Sequence, residues 1–495
     1  MGIVINQSLK SSIWAYLGVL IGFINVLWLY TYFLSTEQIG LFRLIQSSSF
    51  LLATFGQIGL GSSVIKFFPT FKNEKGFLGS AILGTIFGFC LLLFLTTFFK
   101  SSITSYFSNK SALFIEYLGL TLTITLSIIL FQVLEAFSRS LLNIVFPTLL
   151  RDVGLRIFTS LAIVLFGLDL IDFDMALFVV VGAYGLNALV LLVYIAHIRK
   201  LGIAFEFSFL RNGKLKEVMK YGFYSLLGAG GTQIILQIDS IMLSGMEGLD
   251  ATGIYAIAFF IGVVIEMPKR SITQVSLALI SQAFAKNDFK AINKLYKQTS
   301  INQMIIGSLL LIGIWSNIDN IYAFIPNSDT YVEGIQVVLF IALGKLSDMI
   351  FGVNGEIIVM SKYYRFNVVA ISILAIFSIL FNYYLIPIYG LEGAAIASFL
   401  AMFGFNLLKF IFVWVKFQFQ PFTKRSLLFA GIVCVTLVAE RLIPTIGNYV
   451  TDTIIRSSLI TTVLLVPTYF LKVSAEFNGL LTGILNKMKN TLTRT

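Results

Sequence analysis

Apolar and polar positions alternate along this chain on a long wavelength. Mostly apolar runs are separated by short polar gaps from residue 11 to residue 473. About 20 such residues span a bilayer as an α-helix, whose backbone groups are bonded within the segment. A barrel would show period-two alternation in shorter pieces. The runs predict fourteen transmembrane helices, at 11–34, 44–69, 77–99, 113–137, 146–168, 175–198, 219–245, 253–280, 298–318, 331–360, 367–387, 391–414, 426–446 and 453–473. The first run is too long for the core of a cleavable signal and lacks a small-residue cleavage site, so it is expected to remain as a helix.

Composition agrees: 57% of residues are hydrophobic and 12% charged, which leaves no room for a sizeable soluble domain. Cys90 and Cys434 fall inside apolar runs, which argues against a disulfide framework. The net charge of +11 sits in short loops. Attraction to anionic membrane lipid explains it without a nucleic-acid partner.

The charge is also ordered. Most of the 35 Lys and Arg lie in every second gap: Lys66, Lys72 and Lys75; Arg139, Arg151 and Arg156; Arg199, Lys200, Arg211, Lys214, Lys216 and Lys220. The series continues with Lys286, Lys290, Lys294 and Lys297, then Lys362 and Arg365, then Lys409, Lys416, Lys424 and Arg425, and the tail. The other gaps are acidic, with Asp169, Asp172 and Asp174, Glu247 and Asp250, and Asp319, Asp329 and Glu333. Because basic loops stay in the cytoplasm, both termini are expected inside a bacterial inner membrane.

The chain repeats itself. Glu37-Gln38-Ile39-Gly40-Leu41-Phe42 and Asp250-Ala251-Thr252-Gly253-Ile254-Tyr255 match in acid, glycine, aliphatic and aromatic positions, each before an equivalent run. Two six-helix halves inserted in the same direction follow, at 1–198 and 219–416, joined by a basic linker at 199–218. Helices thirteen and fourteen (417–474) form an appendage, and 475–495 an amphipathic tail with Phe477, Leu480, Leu481, Ile484, Leu485 and Met488 at helical spacing beside Lys487 and Lys489. Phe289, Ile292 and Leu295 with Lys290, Lys294 and Lys297 suggest a second surface helix. Transporters of this layout bind substrate near the midplane.

Four stretches carry a family resemblance: Thr36–Arg43 (TEQIGLFR), Gly56–Gly61 (GQIGLG), Ala251–Ala258 (ATGIYAIA) and Tyr389–Ser398 (YGLEGAAIAS). In their order and spacing the chain resembles the oligosaccharide flippases, or polysaccharide biosynthesis proteins, of the multidrug/oligosaccharidyl-lipid/polysaccharide (MOP) exporter superfamily. The resemblance implies an all-α, MATE-like integral membrane fold: a V-shaped pair of parallel six-helix bundles plus two C-terminal helices, working by alternating access. It also implies a polyprenyl-pyrophosphate-linked oligosaccharide as substrate, energy from an H+ or Na+ gradient or from consumption of product on the far side, and polysaccharide polymerase and chain-length proteins as partners.

Charges inside apolar runs are costly, about 2.5–3.5 kcal/mol each on insertion scales, and so mark function. Run eight contains Glu266-Met267-Pro268-Lys269-Arg270. Lys269 and Arg270 are candidates to hold a pyrophosphate, which an arginine can grip with two hydrogen bonds. The competing reading pairs Glu266 with Arg270 along one helix face. Run ten carries Lys345, Asp348 and Glu356; Lys345 and Asp348 either neutralise each other or exchange partners when substrate or a cation binds. Asp239, after Gly228, Gly230 and Gly231, is the candidate proton or sodium site, or a bond to a neighbouring helix. Arg151 and Arg156, with Arg139 and Asp152, either mark the membrane boundary or form an inward funnel for the anionic headgroup.

No nucleotide-binding loop, metal cluster or catalytic constellation is visible, so a cofactor-free transporter rather than an enzyme is expected. Asp172-Phe173-Asp174 has the form of a sugar-nucleotide metal site but lies in a short loop. A cation-coupled drug antiporter is the nearest rival and would favour acidic cavity residues, whereas run eight is net basic. A membrane-embedded polymerase or ligase would need a large external loop.

Overall fold

In the computed structural model, residues 2–71, 76–199, 206, 213–445 and 447–492 are described, with side chains at 7, 10–71, 76–197, 206, 213–445 and 447–483. Lys72, Lys75, Lys200, Arg211 and most of the 199–218 linker lie outside these. So do the side chains of Arg199, Ile484, Leu485, Lys487, Met488, Lys489 and Arg494.

Every regular element among the described residues is a helix. Among the described residues, ten helices are individually long and apolar enough to cross a membrane, or eleven if the bent pair Ser328–Ile350 and Asn354–Met360 counts as one span. The expectation of fourteen counts three further passages that the structure builds differently. Residues 145–167 are interrupted by a π-helical turn at Leu149–Gly154. Tyr364–Phe417 is bent at Gly390, where φ is 56°. Lys424–Glu440 has only 17 residues.

The chain forms two compact units. The first comprises Met1–Ile257 with Asn382–Leu391, the second Ala258–Phe381 with Glu392–Thr495. The Lys214–Met246 helix belongs with the first unit. There Arg43 Nε donates to Ser240 Oγ at 3.1 Å. Phenylalanines and branched aliphatics fill the cores: Phe67, Phe71, Phe77 and Phe137 in one cluster of the first unit, and Ile301, Ile312, Phe429 and Ile460 in the second.

The repeated segment begins a helix for a local reason. Ser35 accepts from the Gln38 amide at 3.2 Å and the Gln38 side chain accepts from the Ser35 amide at 3.0 Å, a reciprocal cap. The two copies then touch. A Cβ on Gly40 would overlap the Leu249 carbonyl, and one on Gly253 would overlap the Thr36 carbonyl. Glycine is required at both positions because backbone meets backbone. Thr36 also donates to Asp250.

Candidate functional site

In the second unit, a 3-10 turn at Val264–Glu266 precedes the Met267–Ala285 helix, which has Pro268 in its first turn. Proline is tolerated there because the first amides lack helical partners anyway. Opposite, the Ile335–Ile350 helix stops at Phe351–Val353, where Gly352 has φ 61°, and resumes at Asn354–Met360. Ser300 donates to the freed Ile350 carbonyl at 2.6 Å, and Asn354 donates to the Asn406 carbonyl at 3.3 Å. These bonds satisfy the backbone at the break and fix the resumed helix against the Glu392–Phe417 segment.

The charges converge here. Lys269 donates to the Asp348 carboxylate, and Lys345 lies 2.6 Å from Glu266. Lys409 sits 4.0 Å from Asp348 and 4.0 Å from the centre of the Phe405 ring. Glu356 is within electrostatic reach of Lys269 and Lys409. The side chains of Lys269, Asp348 and Lys345 are each 13–14% exposed. Arg270 is different: it is exposed and makes no ion pair among the described residues.

Neither pairing expected along a single helix occurs. Glu266 takes Lys345 rather than Arg270, and Asp348 takes Lys269 rather than Lys345. A 3-10 turn has about three residues per turn instead of 3.6, which breaks the four-residue register across Pro268. Two crossed bridges between helices replace two bridges within them. Lysine ammonium groups are compact charges on flexible stems, so each can exchange one oxyanion for another.

Asp239 lies in the first unit and is 5% exposed. It accepts from Asn382 at 2.8 Å and Tyr255 at 3.1 Å, and Arg43 interacts with it electrostatically. Arg151, also in the first unit, bonds Glu135 at 2.5 Å and Asp152 at 2.9 Å, while Arg139 bonds Glu135 at 2.7 Å. Arg156 donates to the Gly18 carbonyl and packs against Gly22 in the first helix. Asp172 caps the Phe173–Arg199 helix by accepting from the Met175 amide at 2.7 Å. Asp174 accepts from Tyr117, whose hydroxyl that carboxylate pushes up to about 12. Both acids of the Asp-x-Asp sequence are thus employed in local structure.

Two participants escaped the sequence reading. Lys409 was assigned to a basic gap, yet it is 6% exposed inside the cluster. Arg43 was placed before run two, yet the helix starts at Thr36 and carries it inward. The Ser35-to-Gln38 capping box was the available signal.

The first unit also holds a cavity of about 820 Å3 lined by apolar residues, among them Ile58, Val64, Phe67, Phe87, Met219 and Phe223.

A family model described as polysaccharide biosynthesis protein matches residues 8–284. An uncharacterized membrane protein of Methanocaldococcus jannaschii is 23% identical over 403 residues, covering 76% of this chain and 77% of that one. The structure of the lipid II flippase MurJ in an inward closed conformation aligns with a TM-score of 0.78 at 16% identity, over 93% of this chain and 98% of that one. An outward-facing multidrug resistance MATE family transporter of the MOP superfamily aligns at 0.54 with 13% identity, over 84% and 95%. At such identities the likeness is one of fold.

Proposed function

Because the chain belongs to the polysaccharide biosynthesis protein family of the MOP exporter superfamily, we propose that it is a flippase for a polyprenyl-pyrophosphate-linked oligosaccharide. The cargo is a repeat unit of O-antigen, capsule or exopolysaccharide, carried across the cytoplasmic membrane by alternating access. One observation carries this reading: Arg270, in an apolar helix, keeps an exposed guanidinium beside a cluster whose other cations all have carboxylate neighbours. An unneutralised guanidinium suits a pyrophosphate, to which it can donate two parallel hydrogen bonds.

Lys269 and Lys345 then act as exchangeable donors. When pyrophosphate enters, they turn from Asp348 and Glu266 to its oxygens. The released carboxylates become free to take H+ or Na+, which couples transport to an ion gradient. The apolar cavity of the first unit has the chemistry of a prenyl chain. The net basic character of Lys269 and Arg270 disfavours a cationic drug as cargo. The M. jannaschii relative supports a membrane protein and the MurJ fold a flippase, and neither names the sugar.

The test is Arg270→Ala in a strain lacking the native gene. The protein should reach wild-type membrane levels, while surface polysaccharide falls about tenfold or more, the scale of one lost charge-assisted contact. Lipid-linked precursor should accumulate inside. Normal export at normal protein level would remove Arg270 from the site.

A further inference from the structure

The basic face of the second unit has a second concentration of charge, away from the Lys269–Asp348 cluster. A cavity of about 490 Å3 is lined by Lys294, Lys297, Lys424 and Arg425, with Gln298 and Glu476 at its edge. Three separate elements supply it: the first turns of Phe289–Ser316, the start of Lys424–Glu440, and the Val473–Glu476 bend before Ala475–Leu492.

Several features of this pocket oppose ordinary helix electrostatics. Lys424 and Arg425 occupy the first turn of their helix, at the positive end of its dipole, and that turn contains no acid. Lys294 and Lys297 are three apart on one helix, a like-charge spacing that costs stability. None of the four makes an ion pair among the described residues. One acid, Glu476, also lines the pocket, where it accepts from Gln298 and from Ser474. Four cations against one carboxylate around one cavity, with a helix N-terminus aimed the same way, leave a net positive site that an anion would complete. Thr423 and Ser426 cap each other, which leaves the Lys424 and Arg425 amides available.

We infer that this pocket binds a phosphate-bearing anion, with Arg425 supplying a two-pronged contact and the three lysines neutralising it. The phosphate comes either from the headgroup of an anionic phospholipid or from a soluble pyrophosphate. The site is independent of the cargo proposed above, because none of its residues belongs to the Lys269–Asp348 cluster.

The experiment uses the full chain in nanodiscs. Binding of phosphatidylglycerol relative to phosphatidylcholine is measured by mass spectrometry of the co-purified lipid. Inorganic pyrophosphate binding is measured separately by calorimetry in detergent. Two variants are compared: Lys294→Gln, Lys297→Gln, Lys424→Gln and Arg425→Gln together, and a control removing equal charge at Lys286, Lys290, Lys362 and Lys416. The pocket variant should lose about tenfold or more of the preferred binding, and the control should keep it. Loss of the lipid preference alone assigns the lipid source, and loss of pyrophosphate binding alone the soluble one. Equal loss in both variants, or unchanged binding in the pocket variant, overturns the proposal.

Discussion

Asp239 in the first unit and Asp348 in the second are both buried carboxylates in apolar helices, but they are held in different ways. Asp239 accepts from a phenol and an amide, with the planar guanidinium of Arg43 acting on it. Such donors are directional and already fixed by their own packing. Asp348 faces two lysines, one bonded and one at 4.0 Å. Ammonium groups on flexible stems can let go. The first arrangement resembles a lock between helices, the second a contact built to be exchanged.

Four substitutions test this contrast. The largest effect is expected for Asp348→Asn, which strands Lys269 and Lys409 beside Glu356. Leaving a buried charge uncompensated costs roughly 3–5 kcal/mol, read as a lowered unfolding midpoint together with lost export. Adding Lys409→Gln should recover part of that stability but not export. If the double variant is no more stable than the single one, Lys409 does not belong to the cluster.

That cluster also marks how far the sequence could be read. The apolar runs showed an all-helical membrane protein because run length in lipid is set by bilayer thickness. The intramembrane charges Lys269, Lys345, Glu266 and Asp348 were visible for the same reason. Their partners were not. Pairing depends on where a helix breaks and which face it then presents, and the 3-10 turn before Pro268 has no strong signature in hydropathy. Lys409 was hidden because, although it falls within run twelve, its charge matches the basic gap that follows, and hydropathy does not show that its helix face packs it against Gly355.

Asp239→Asn is the next test. It replaces one of two accepting oxygens by a donor facing Tyr255 or Asn382, at a cost of about 1–3 kcal/mol for an unsatisfied buried group, and it removes the charge opposite the single guanidinium of Arg43, where Asp348→Asn strands two lysines. Export per folded molecule should stay near wild type. Loss of export at full stability would give Asp239 a role in transport and erase the contrast with Asp348. The smallest effect is expected at Arg151→Gln. Its side chain is 42% exposed, so its bonds to Glu135 and Asp152 contribute about 0–1 kcal/mol. A thermal unfolding curve shifted by more than a few degrees would show that this boundary cluster is tighter than its exposure suggests.

The meeting of Gly40 with Leu249 and of Gly253 with Thr36 has a consequence of its own. The two contacts are the same contact made twice, since 249 − 36 and 253 − 40 both equal 213. In a dimer of identical chains one residue would make both, and any change to it would be felt on both sides at once. Joining the copies in a single chain divides that duty between two codons. Each copy is then free to change by itself, except at the two glycines, where backbone packs on backbone.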